Sequence, residues 1–117
     1  MPIIRGQEAP ISEPFAQVTA RSLVNLGTGA VSLTVNELAL DPKSEIPAHT
    51  HPTHEEAILI LEGEFVAMLG TESNRVNAGD VVLAPQGIQH QLINVGSSKG
   101  RIAAIFPTTE VRREMVQ

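Results

Sequence analysis

Three histidines and two glutamates fall within eight consecutive positions, as His49, His51, His54, Glu55 and Glu56, in a chain that has only four histidines in all. Imidazole nitrogens and carboxylate oxygens crowded in this way can move protons or hold a metal ion. On a β-strand, His49 and His51 would present both rings on one face, with Cα atoms ~6.6 Å apart at ~3.3 Å per residue. Two imidazoles at that separation can meet on one ion. Pro47 and Pro52 bracket the pair and stiffen it. A short turn follows, from which His54, Glu55 or Glu56 can swing back to add a further ligand. Nitrogen and carboxylate donors without thiolate suit divalent Fe, Mn, Ni, Cu or Zn. The chain contains no cysteine, which removes disulfides, thiolate metal sites and cysteine nucleophiles. The pair of histidines alone also fits a solvated polar loop beside a strand.

The elements that must position these groups read as β. In 30–40, "AVSLTVNELAL", Val31, Leu33 and Val35 alternate with Ser32, Thr34 and Asn36. Residues 57–69 form two apolar runs around Glu62-Gly63-Glu64, which predicts a hairpin. Residues 81–85, 90–95 and 101–106 are further short β-rich runs, separated by turn residues at 41–42, 77–80, 85–87 and 96–100. Evenly spaced short strands without a long helical pattern predict an all-β sandwich or barrel. The first 15 residues, with Pro2, Pro10 and Pro14, predict an extended N-terminal arm. Residues 108–117 predict a helical turn or two, with Thr108 or Thr109 as cap. No repeat or second domain is visible, so the division is a single domain over 1–117: arm 1–15, barrel 16–107 and tail 108–117.

A second segment, "GDVVLAPQGIQHQLIN" at 79–94, adds the fourth histidine. Gly79, Pro85, Gly87, His90 and Asn94 are spaced as G-x5-P-x-G-x2-H-x3-N, the second motif of the cupin superfamily, which the chain resembles at every one of these positions. His49, His51, Glu56 and Gly63 are similar to the first motif, G-x5-H-x-H-x3–4-E-x6-G. The leading glycine of that motif is Lys43 here, which puts the local turn in doubt. The resemblance extends over roughly 17–107. It implies a double-stranded β-helix, or jelly-roll barrel, with one divalent transition ion per subunit held by His49, His51, Glu56 and His90. Glu55 fits the alternative three-residue spacing from His51, and the spacing to Gly63 favours Glu56. His54 is expected on the rim. His90 shares a strand face with Leu92 and Asn94 and should point inward, with Gln89 and Gln91 facing out. Gly63 and Gly79 should sit in tight hairpin turns.

The resemblance implies many chemistries: oxygenases, oxalate-handling enzymes, isomerases, lyases and non-catalytic binding domains. Three neutral imidazoles and one carboxylate on a divalent ion leave a net charge near +1 and adjacent open positions, which suits a small chelating oxygen ligand. No further acid or base has a clear place, so the reading favours a dioxygenase-type enzyme on a small oxygen-rich substrate. Non-redox isomerase, lyase or decarboxylase chemistry, or a metal-dependent binding module, stays open. Ile58, Ile60, Val82 and Leu92 are candidates for an aliphatic wall. Phe15, Phe65 and Phe106 are the only aromatics, so a pocket for flat aromatic substrates is disfavoured. A net charge of -5 with no basic run beyond Arg112-Arg113 argues against nucleic acid as partner. No apolar run reaches the roughly 18 residues a membrane span needs. The opening residues lack the apolar core of a signal peptide, so the cytoplasm is the expected location. A small barrel leaves sheet edges to cover, which predicts a homodimer.

Overall fold

The computed structural model describes residues 2–116; Met1 and Gln117, the outermost residues of the expected arm and tail, lie outside the described residues. Eleven strands follow one another: β1 Ile11–Phe15, β2 Val18–Val24, β3 Thr34–Leu40, β4 Glu45–Thr50, β5 Glu56–Glu62, β6 Glu64–Leu69, β7 Glu72–Asn77, β8 Val81–Ala84, β9 His90–Asn94, β10 Gly100–Phe106 and β11 Glu114–Met115. They form two sheets, ordered β1-β2-β3-β10-β5-β8 and β11-β4-β9-β6-β7. All strand pairs are antiparallel.

The jelly-roll barrel expected from the resemblance is therefore corrected. Neither sheet closes: β1 and β8 edge one, β11 and β7 edge the other, and no strand pairs across from sheet to sheet. The physical reason lies in the corners. The predicted hairpin at 57–69 does not exist, because β5 pairs with β10 and β8 while β6 pairs with β7 and β9. Gly63, at φ 100°, turns the chain out of one sheet and into the other. Gly79, at φ 95°, does the same between β7 and β8. Such left-handed turns break the hydrogen-bond ladder, so the sheets face each other without merging.

The core lies between them. Val18, Leu40, Ile60, Phe65, Leu92 and Ile102 are all essentially inaccessible. Each contributes about 1.5–3 kcal/mol by leaving water. The alternation in β3 is real, but its buried phase is the opposite of the apolar-looking one. Thr34, Leu38 and Leu40 face the core, whereas Val31 and Leu33 precede the strand and are exposed. This phase carries Asn36 inward.

Lys43, where the first motif has glycine, adopts φ 70°. The turn is thus retained with a side chain that disfavours it by about 1–2 kcal/mol. The ends also differ from expectation. Within the arm, β1 folds back on β2, and the Arg21 guanidinium donates to the carbonyls of Gly6 and Ala9. Among the described residues the tail forms no helix; β11 pairs with β4 instead, and the Thr34 hydroxyl donates to the Thr108 carbonyl. No helix among the described residues is long and apolar enough to cross a membrane.

Candidate metal centre

Strand β4 carries His49 near its end. Its register against β9 shifts between Ile46 and His49, and Pro47, which has no N–H for the ladder, lies in that shift. The shift sets His49 opposite His90, the first residue of β9, with ring centroids 4.3 Å apart. His51 follows just beyond β4. Its backbone carbonyl accepts from Gly87 N–H, so the Pro85–Gly87 turn that feeds β9 also holds the His51 loop. Glu56 opens β5 in the facing sheet, opposite the small Ala84. The four residues therefore converge from two sheets.

One donor atom from each of His49, His51, Glu56 and His90 lies within 4.8 Å of the others. Relative exposures are 4%, 3%, 5% and 3%, so the group is shut off from bulk water. The three imidazoles are held alike: Nδ1 of His49 donates to Pro47 O at 2.7 Å, that of His51 to Arg112 O at 2.6 Å and that of His90 to Ile88 O at 3.0 Å. Each backbone bond commits Nδ1 and leaves Nε2 directed at the common centre. Ligating histidines are oriented by such bonds. Glu56 Oε1 lies 3.0 Å from His51 Nε2 and 2.9 Å from His90 Nε2.

Burial and hydrogen bonding shift three of these groups. Burial pushes the Glu56 carboxyl up, but hydrogen bonds from His51 and His90 outweigh it and hold it at about 2. Burial lowers His90, yet its bond to Glu56 leaves it net raised. Burial brings His49 down to about 4, so its ring is neutral near pH 7. Three inward imidazole nitrogens and a carboxylate already in anionic form fit a divalent transition ion.

A cupin domain model matches residues 36–106, more than half of the chain. The chain belongs to the cupin domain family. This cupin is 30% identical over 107 residues to germin-like protein 1-2 of Oryza sativa subsp. japonica, covering 86% of this chain and 48% of that protein. It thus spans about half the length of the curated relatives it matches. Among solved structures, the polyketide cyclase RemF of Streptomyces resistomycificus superposes with a TM-score of 0.85 at 22% identity, over 100% of this chain and 86% of that one. A predicted oxalate decarboxylase of Thermotoga maritima superposes with a TM-score of 0.82 at 21% identity, over 91% and 98%. These likenesses are of fold.

Glu56 lies in the cluster, and Glu55 is exposed. His54 is not a rim residue, because it is buried behind His51 with ring centroids 4.9 Å apart. Its Nδ1 donates to Glu55 O at 3.0 Å and its Nε2 accepts Arg112 N–H at 3.1 Å, so it pins the tail of this cupin beside the cluster. Leu92 and Asn94 share the inward face of β9 with His90. Of the candidate wall residues, Ile58 and Leu92 line the cavity above the cluster; Ile60 and Val82 are buried elsewhere in the core.

That cavity has a volume of about 340 Å³, near the low end for small-ligand sites. Leu38, Ile46 and Phe106 extend its apolar wall. Among the lining residues that the sequence did not single out, three carry polar or aromatic groups of interest. Asn36 lines the cavity, and its buried side-chain oxygen has no hydrogen-bond partner among the described residues. Phe15 and Arg113 reach it from the arm and the tail. Their only prior signals were an alternation of ambiguous phase, a lone aromatic and an adjacent pair of arginines.

Proposed function

We propose that this cupin is a metal-dependent enzyme that oxidises a small, oxygen-rich, chelating substrate with dioxygen, in the manner of a dioxygenase. One observation supports this choice over non-redox chemistry. Among the described residues, the cavity wall contains no aspartate, glutamate, lysine, histidine or tyrosine outside the four clustered residues. Many isomerases, lyases and decarboxylases deliver or remove a proton at carbon through a separate acid or base, and among the described residues Arg113 is the only other ionisable group at the wall. In this reading His49, His51, Glu56 and His90 would hold one divalent ion, with Fe, Mn or Cu as the redox-active candidates. When bound, such an ion would supply Lewis acidity and redox capacity. The protein orients the four donors through the backbone bonds to Nδ1, and Leu38, Ile46, Ile58 and Leu92 exclude bulk water from the substrate. The two named structural neighbours, a polyketide cyclase and a predicted oxalate decarboxylase, share the fold and do not fix the reaction of this chain.

The test is anaerobic. The Fe(II)-loaded chain is mixed with small diketones, hydroxy acids and catechols, and then oxygen is admitted. At least one compound is expected to give a charge-transfer band that decays as oxygen is consumed. Bands without oxygen uptake across the panel would overturn the dioxygenase reading.

A homodimer is proposed alongside. Val81 and Leu83 are exposed on the edge strand β8, at 57% and 55%. An open apolar edge of this kind favours pairing with a second copy. Sedimentation equilibrium at micromolar concentration is expected to return the dimer mass; a monomer alone would contradict it.

A further inference from the structure

The cupin domain match ends at residue 106, yet the cavity is finished by residues from outside it. Arg113 is the one cationic side chain at the wall. Its guanidinium carbon sits 4.9 Å from the centroid of the Phe15 ring, which also lines the cavity. An arginine lying over an aromatic ring uses the flat side of its guanidinium for that contact and keeps its N–H edge for a planar oxyanion.

The position of Arg113 is not that of a free chain end. Its neighbour Arg112 is held by two histidines, through the carbonyl to His51 Nδ1 and through N–H to His54 Nε2. On its other side, Glu114 and Met115 pair with Thr50 and His49, and Val116 N–H donates to Ala48 O. Arg113 forms no salt bridge among the described residues, whereas Arg101 is engaged by Glu37 at 2.8 Å. The tail thus presents an uncommitted guanidinium to a cavity whose other end is the metal centre.

Building on the metal-centre reading above, we propose that Arg113 is a carboxylate-binding residue and that the ligand of this cavity is a small dicarboxylate. One carboxylate meets the metal centre and the other meets the Arg113 guanidinium. The charges match. A divalent ion with three neutral imidazoles and one carboxylate carries about +1, and Arg113 adds another positive charge, which a dianion neutralises. The net charge of the chain, -5, repels a dianion overall, so the attraction is local to the cavity. The cavity volume of about 340 Å³ restricts the ligand to a small acid.

The chain loaded with Co(II) is titrated with acetate, malonate and succinate by calorimetry, while the ligand-field bands report arrival at the metal. At least one dicarboxylate is expected to bind about tenfold or more tightly than acetate, since charge-assisted hydrogen bonds to a guanidinium are among the stronger ones and this one is partly solvated. Arg113→Gln should erase that margin while leaving cobalt content and acetate affinity unchanged, and Arg113→Lys should restore part of it. Cobalt bound normally with no dicarboxylate preference, or a preference that survives Arg113→Gln, overturns the assignment of Arg113 alone. Failure of the wild-type chain to take up cobalt or any of Fe, Mn, Ni, Cu and Zn overturns the metal-centre reading and this inference with it.

Discussion

Replacing Glu56 by alanine is expected to weaken divalent-ion binding by a hundredfold or more, while replacing Glu55 leaves it within about twofold. Even residues that only orient metal ligands cost roughly 10–100-fold when removed, and Glu56 is placed to contribute the sole anionic donor. Its Oε1 stands 3.0 Å and 2.9 Å from Nε2 of His51 and His90, inside the group whose donors lie within 4.8 Å of one another. Glu55, one position earlier, is exposed, and what it contributes inward is its backbone carbonyl to His54. His90→Ala should fall with Glu56→Ala, because it removes a donor from the opposite sheet. Competition against a chromophoric chelator measures all three affinities, and far-UV circular dichroism checks that each variant is folded. Equal losses at Glu55 and Glu56 would contradict the geometry.

The second large effect concerns stability. Asn94→Ala is expected to destabilise the chain by about 3–5 kcal/mol, since it leaves three groups unpaired at roughly 1–3 kcal/mol each, some of them rehydrated. Asn94 is 1% exposed at the end of β9. Its Nδ2 donates to Leu40 O at 2.9 Å and Ser98 O at 3.0 Å, and its Oδ1 accepts Gly96 N–H at 2.9 Å. Its backbone joins the same corner, accepting from Lys43 N–H and donating to Ser44 O. One side chain therefore ties the end of β3 to the loop that enters β10, the place where the chain passes between the open sheets. Against a total of about 5–15 kcal/mol the loss is large. Asn94→Asp should be comparably harmful, because it turns a carboxylate toward two carbonyls. Denaturant unfolding followed by circular dichroism measures both, and a change below about 1 kcal/mol for either would refute this role.

These two predictions differ in how far they could be read from the chain itself. Strands β5, β8, β9 and β10 were legible because each is an apolar, β-branched run bounded by turn residues. Strand β7, Glu72-Ser-Asn-Arg-Val-Asn77, was not, because only Val76 packs against the core and no alternation marks it. Strands β1 and β4 contain Pro14 and Pro47, which argue against a strand on propensity alone. Gly63 was legible as a turn, but a turn does not say which strands pair, and a sheet-to-sheet corner was taken for a hairpin. The inward phase of β3 was obscured because Val31 and Leu33 look like a core face and Asn36 does not. The convergence of His49, His51, Glu56 and His90 was visible in motif spacing. Arg113 and Phe15 were not, since only the completed fold brings both ends of the chain to the same cavity. Nor was the buried place of His54, which depends on the tail returning to β4.

The most direct test of the central claim is the metal content of the wild-type chain, purified without an affinity tag and incubated in turn with Fe, Mn, Ni, Cu and Zn. Elemental analysis after desalting is predicted to find close to one divalent ion per subunit for at least one of these metals, lost on substitution of Glu56. A chain that remains metal-free after all five incubations would contradict the account.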